Sequence, residues 1–301
     1  MTALARSRAV GRRTRRAAGR LSKRVRRNPL LYAGGTVVLL LGASAVFGPL
    51  LTPYGPAEQH VSAHLQPPSV AHPLGTDQFG RDVLTRLVYG ARVSLGIAVA
   101  VTTIRLGVGT AVGSVAGYAG GRVDEGLMRL VDLQLAFPGF VLALVVAGVL
   151  GPSLRNVTIA LAAVGWGTYA RVVRGTVLSV KHRRYVDAAR LVATPRRRVF
   201  RRHLLPSVLD PVLVLATLNL GTVIVASAGL SFVGLGAQPP TAEWGTMLSE
   251  GREYLRSAWW LVNAPGGAIV LTVLGFNLLG DGLRDRLDPH QQTRIQRAEN
   301  R

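Results

Sequence analysis

Apolar stretches close to twenty residues long recur six times along this chain, separated by short polar or arginine-rich segments. An α-helix rises about 1.5 Å per residue, so about 20 apolar residues cross a hydrocarbon core about 30 Å thick. Residues 30–51, 93–118, 127–150, 157–173, 208–233 and 259–279 come close to that requirement. The fourth is the weakest, because Gly165, Trp166, Gly167 and Tyr169 dilute it. The expected fold is all-α, a polytopic transmembrane helical bundle of six spans. With 17% charged residues in 301, the chain also lacks the charge that a soluble protein of this size carries on its surface.

The basic clusters fall on one side of the expected bundle, while the outer loops hold Glu58, Asp77, Asp82, Glu243, Glu250 and Glu253. Lys and Arg number 36 against 15 Asp and Glu, a net charge of +21. No acid precedes Glu58, whereas Arg6 to Arg27 form a dense basic cluster, and a second block runs from Lys181 to Arg202. Such a balance suits a nucleic acid or an anionic membrane face. The N-terminal cluster holds no aromatic residue for base stacking, so the positive-inside rule is the simpler reading, and no nucleic-acid partner is expected. Both termini then lie in the cytoplasm, and the chain is a multi-pass protein of the inner or plasma membrane in contact with the lipid bilayer. It divides into a basic tail (1–29), a first span with an extracytoplasmic loop (30–91), a core of five spans (92–283) and a cytoplasmic tail (284–301). Residues 176–206 form a cytoplasmic segment within that core. The first apolar run is longer than a signal-peptide core and reads as a retained span. Trp259 and Trp260 fall at the outer edge of the last span, where amphipathic rings settle. The proline-rich loop after residue 51 is expected to pack over the mouth of the bundle.

The cytoplasmic segment carries the most information. Tyr185-Val-Asp-Ala-Ala-Arg-Leu-Val-Ala193 suits a short helix, in which small Ala188 and Ala189 let another surface approach while Arg190 stays solvated. Thr194-Pro195 then discourages helix continuation, and Leu205-Pro206 returns the chain toward the membrane. The result is a protruding knob. This segment resembles the EAA loop of binding-protein-dependent ABC importer permeases, with Asp187, Ala188, Ala189, Ala193, Leu205 and Pro206 in the matching places. Ala193 replaces the usual glycine, and His203 stands where isoleucine is common. Further stretches resemble the C-type permease subunit of dipeptide, oligopeptide and nickel importers. They include His72-Pro-Leu-Gly-Thr-Asp-Gln-Phe-Gly-Arg-Asp82, Leu230-Ser-Phe-Val-Gly-Leu-Gly236 and Asn277-Leu-Leu-Gly-Asp281. Ser227 departs from a glutamate frequent in that family.

The resemblance implies the type I ABC importer permease fold and a division of labour. A homologous permease subunit would complete the path, two cytoplasmic ABC ATPase subunits would bind ATP and Mg, and an extracytoplasmic binding protein would deliver di- or oligopeptide. Nickel or another small solute is the alternative cargo; a secondary transporter or a basic nucleic-acid-binding membrane protein is the alternative of another class. The chain itself has no phosphate-binding Gly-x4-Gly-Lys-Ser/Thr loop and no catalytic spacing of Ser, His and Asp, so it reads as a transporter subunit without a cofactor of its own. His60, His64 and His72 do not form an expected metal site. Gly109, Gly113 and Gly117 give α-helical packing a smooth strip, directed either within the subunit or toward the partner permease. Arg105, Asp132, Gln134, Asn219 and Asn277 are polar groups at membrane depth, and each is a candidate for the pathway or for a structural hydrogen bond.

Overall fold

The computed structural model describes residues 28–191 and 195–287. The N-terminal arginine cluster, Ala193 with Thr194, and the tail from residue 288 lie outside them. Every regular element among the described residues is helical: α1 (Pro29–Leu51), α2 (Val83–Ala119), α3 (Gly121–Ala136), α4 (Gly139–Leu150), α5 (Leu154–Lys181), α6 (Arg184–Leu191), α7 (Arg196–Val199), α8 (Leu205–Phe232), α9 (Trp244–Gly251) and α10 (Trp260–Leu287). A π-helical turn, Phe200–Leu204, joins α7 to α8.

Four stretches are long and apolar enough to cross a bilayer: Pro29–Leu50, Val83–Ala119, Arg197–Phe232 and Trp260–Leu287, with mean hydropathies of 2.0, 1.7, 2.0 and 1.6. They correspond to within one residue at the shared ends to the first, fifth and sixth expected spans and contain the second. The other two differ from expectation. Residues 127–150 are not one straight span, because α3 and α4 meet at an 87° bend. Phe137 between them is extended, as the residue before a proline prefers, and Pro138 has no N–H to continue the helical ladder. α5 is 28 residues long, but Arg155, Arg171, Arg174 and Lys181 leave it less apolar than the four. By length and composition the described residues thus hold four membrane-crossing helices, or five with the bent pair, against six expected.

The main packing axis is α2 against α5, and glycine makes it close. A Cβ on Gly109 would sit 2.6 Å from the Trp166 carbonyl oxygen, one on Gly113 would sit 2.8 Å from the Val173 Cβ, and one on Gly117 would sit 2.9 Å from the Val177 Cβ. The glycine strip therefore faces α5 of the same chain. Bilayer tails offer no hydrophobic drive between helices, so backbone approach of this kind is what gains dispersion energy. α1 joins α10 in the same way: a Cβ on Gly275 would lie 2.7 Å from Val37 Cγ1. α8 fills the remaining side, against α10, α2 and α5.

α2 starts at Val83, ten residues before its apolar window, and its first turns belong to a folded cap rather than to a simple loop. The Asp82 carboxylate accepts the Thr85 N–H at 2.7 Å and caps the helix. The loop before it docks on α10, where Trp260 Nε1 donates to the Thr76 carbonyl at 3.1 Å. Gly75 takes φ +74°, and a Cβ there would lie 2.7 Å from both the Gln66 carbonyl oxygen and Trp260 Nε1, so the turn requires glycine twice over. Trp260, at the start of α10, is buried in this contact, whereas its neighbour Trp259 is exposed.

The glycine strip yields a paired test. Gly113→Val should destabilise the subunit by about 1–3 kcal/mol through overpacking, read as a lower melting temperature in detergent. Gly107 lies on the same helix with nothing within 4 Å of a Cβ, so Gly107→Ala should melt no lower than the parent.

Candidate functional site

The knob forms where the chain leaves α5. His182 ends that helix, the Arg183 carbonyl accepts the N–H groups of Val186 and Asp187, and α6 begins. Its apolar side is anchored. Val186, Val199 and Leu204 are buried with Val180 in a small core, with Tyr118 and Phe200 packed against it. Tyr118 and Phe200 meet edge to face with centroids 6.2 Å apart. Lys181 Nζ donates to the carbonyls of Gly117 and Tyr118 at 3.3 and 3.2 Å, placing a cation at the negative end of α2. Tyr185 rests 5.7 Å from the His203 ring. The knob is thus fastened to the ends of both α2 and α5.

The opposite side of α6 is open. Asp187 and Ala188 are exposed, Tyr185 is 44% exposed and Leu191 is 87% exposed. Asp187 and Ala188 precede Leu191 by four and three residues, so each neighbours Leu191 on the helix surface. Leu191 is the addition that sequence reading missed; its signal was an apolar residue one turn beyond Ala188. Leu205 and Pro206 open α8, with proline at its first turn where no N–H is needed. The side chains of Ala189 and Arg190, and Ala193 as a whole, lie outside the described residues. Arg197, Arg198, Arg201 and Arg202 line an exposed basic hollow beside the knob.

The polar residues expected at membrane depth sort into different roles. Arg105 is buried and turned toward α5, where Nε and Nη2 both donate to the Leu161 carbonyl at 2.9 and 2.6 Å. Gly165 leaves room for the guanidinium, so Arg105 joins two helices. Gln134 does the same between α3 and α5, donating to the Ala163 carbonyl at 2.7 Å and accepting the Gly167 N–H at 2.9 Å. Asn219 donates to the Leu215 carbonyl of its own helix at 3.0 Å. Asn277 is exposed on α10. Asp132 pairs with Arg171 at 2.7 Å, with both side chains more than half exposed.

At the far end of α2 an ion cluster forms from residues that carry no individual role in the sequence pattern. Glu250 Oε2 accepts from Arg81 Nη2 and Arg86 Nη2, both at 2.9 Å. Asp77 Oδ2 accepts Arg81 Nε at 2.5 Å, and its Oδ1 accepts the N–H groups of Phe79 and Arg81 at 2.9 Å. Both arginine side chains are at most 2% exposed. These bonds tie the cap to α9. Among the described residues no group of three His, Cys, Asp or Glu could hold a metal ion.

Glu250→Ala would leave two buried guanidinium groups sharing Asp77 alone. A loss of about 3–5 kcal/mol is expected from an uncompensated buried charge, visible as a large fall in melting temperature. Glu250→Gln keeps an acceptor and should fall less.

Known proteins share this chain's sequence over most of its length. Residues 109–293 match the family described as binding-protein-dependent transport system inner membrane component. Residues 19–68 match the N-terminal TM domain of oligopeptide transport permease C. The dipeptide transport system permease protein DppC of Alkalihalophilus pseudofirmus is 44% identical over 90% of this chain and 89% of its own. The di/tripeptide transport system permease protein DppC of Pseudomonas aeruginosa is 44% identical over 84% and 85%. The nickel transport system permease protein NikC of Escherichia coli is 42% identical over 85% and 93%.

Proposed function

Because the chain belongs to the family of binding-protein-dependent transport system inner membrane components, we propose that it carries di- or oligopeptides inward as one half of a heterodimeric permease. As a member it is a permease subunit and not an enzyme; ATP hydrolysis belongs to separate subunits. In the proposed assembly a homologous permease completes the path, two cytoplasmic ABC ATPases bind ATP and Mg, and an extracytoplasmic binding protein delivers the cargo. Peptide is favoured because the peptide-permease relatives named above match at 44% identity and the N-terminal segment matches an oligopeptide permease domain.

The knob supports the coupling half of this reading. Its open face of Tyr185, Asp187, Ala188 and Leu191 offers a short helix with small, apolar and acidic groups to a cleft in an ATPase subunit. Its buried face is packed onto α2 and α5. When ATP brings the two motors together, the knob moves with them and tilts both helices, switching the bundle between outward and inward openings. This assignment puts the knob, and with it both termini, on the cytoplasmic side, and the cap on the outside. Residues of the loop then do their work through position, with no chemistry of their own.

The chain contains no cysteine, so single introduced thiols are unambiguous probes. Ala188→Cys should form an efficient crosslink to the ATPase in an active complex, and Leu191→Glu should lower transport at least tenfold at unchanged permease levels. Failure of any crosslink in an actively transporting complex argues against docking. Vesicles carrying the full complex should accumulate labelled dipeptide in an ATP-dependent way; uptake of nickel in place of peptide would reassign the cargo.

A further inference from the structure

The exposed pair Asp132–Arg171 is out of place if lipid surrounds it. Its depth follows from how α3 runs along α5. Arg174 binds Asp124 with Nε at 2.5 Å and Nη2 at 2.7 Å, Arg171 binds Asp132, and Gly167 binds Gln134. Moving up α3 from 124 to 134 thus means moving back along α5 from 174 to 167, so the two helices are antiparallel neighbours. α5 in turn runs parallel to α2 along the glycine strip, with Gly109 against Trp166, Gly113 against Val173 and Gly117 against Val177, so all three lie along the axis of a membrane-crossing helix. Asp132 is eleven residues from the start of α3 and Arg171 ten from the end of α5. At about 1.5 Å per residue both sit about 15 Å, nearly three turns, in from the helix ends, and because α5 at about 42 Å overruns a core about 30 Å thick, the pair lies several ångström inside that core rather than at its centre.

The pair is not isolated. On α3, Glu125, Arg129 and Asp132 are exposed at three- and four-residue spacing; on α5, Thr168, Arg171 and Gly175 repeat that spacing and are exposed too. Two polar stripes therefore lie side by side on one surface. Just beyond them is the Phe137–Pro138 bend, where the last-turn carbonyls of α3 lose their intrahelical donors. Such a break at membrane depth persists only where it faces protein or water, and exposed charges at that depth obey the same rule.

We propose that this α3–α5 face lines the water-filled solute route, and that Asp132 and Arg171 form its ionic docking point for the ammonium and carboxylate ends of a peptide. The second half rests on the peptide reading above. A zwitterionic chain can replace each partner of the pair with one of its own termini, so the pair opens without stranding a charge.

The test uses the complete complex in membranes with single cysteines. Gly175 has nothing within 4 Å of a Cβ, and Thr168 is exposed, so both tolerate the change. Thr168→Cys and Gly175→Cys should react with a charged, membrane-impermeant maleimide, and Leu40→Cys, on the apolar surface of α1 at 65% exposure, should not. If the first two are as inert as Leu40→Cys, lipid or a partner chain covers the face and the proposal is wrong. Asp132→Asn and Arg171→Gln should each raise the half-saturating dipeptide concentration several-fold in complexes present at the parent level; an unchanged value overturns the docking role. Labelling does not depend on which solute is carried. Its failure is therefore distinct from failure of the peptide reading, which appears as absent dipeptide uptake in the parent complex.

Discussion

Close approach of two helix backbones holds this bundle together, and it is achieved by three glycines on α2. In a bilayer the tails are as apolar as leucine, so only complementary shape and hydrogen bonds distinguish a helix neighbour from solvent. Gly109, Gly113 and Gly117 bring α5 within reach of groups that otherwise could not meet. Arg105 then spans to the Leu161 carbonyl, and Lys181 reaches back to the end of α2. The knob core of Val180, Val186, Val199 and Leu204 is assembled on that same joint.

Polar chemistry is divided between two ends and one face. At one end the carboxylates of Asp77 and Glu250 neutralise Arg81 and Arg86 almost completely out of solvent. At the other, arginines around the knob remain exposed in a basic hollow. The first arrangement fixes geometry, since removing either sign strands the other. The second leaves charge free for an external surface.

Much of the bundle was legible in the amino-acid order, because hydrophobic length is a local property. The first, second, fifth and sixth spans and the knob follow from runs and spacings that need no knowledge of tertiary contacts. The 87° bend was hidden for an equally plain reason: Phe137 and Pro138 sit inside an apolar run, and counting apolar residues does not register one missing N–H. The direction of the glycine strip and the joining role of Arg105 depend on which helix stands opposite, which a one-dimensional pattern leaves open. The ion cluster was out of reach altogether, since 169 and 164 positions separate Glu250 from Arg81 and Arg86. Ser227, which departs from a familial glutamate, is fully buried and donates within its own helix to the Ile224 carbonyl at 3.0 Å.

α2 runs unbroken for 37 residues, about 55 Å, from the Asp82 cap to the Tyr118 contact, and its close contacts with α5 extend from Arg105, a little past midpoint, to Gly117 near its end. A beam clamped along one half of its length carries a displacement of that half to its free end. A tilt imposed at the Lys181 tether would therefore be felt at the Arg86 clasp, so one rigid element links the knob to the cap.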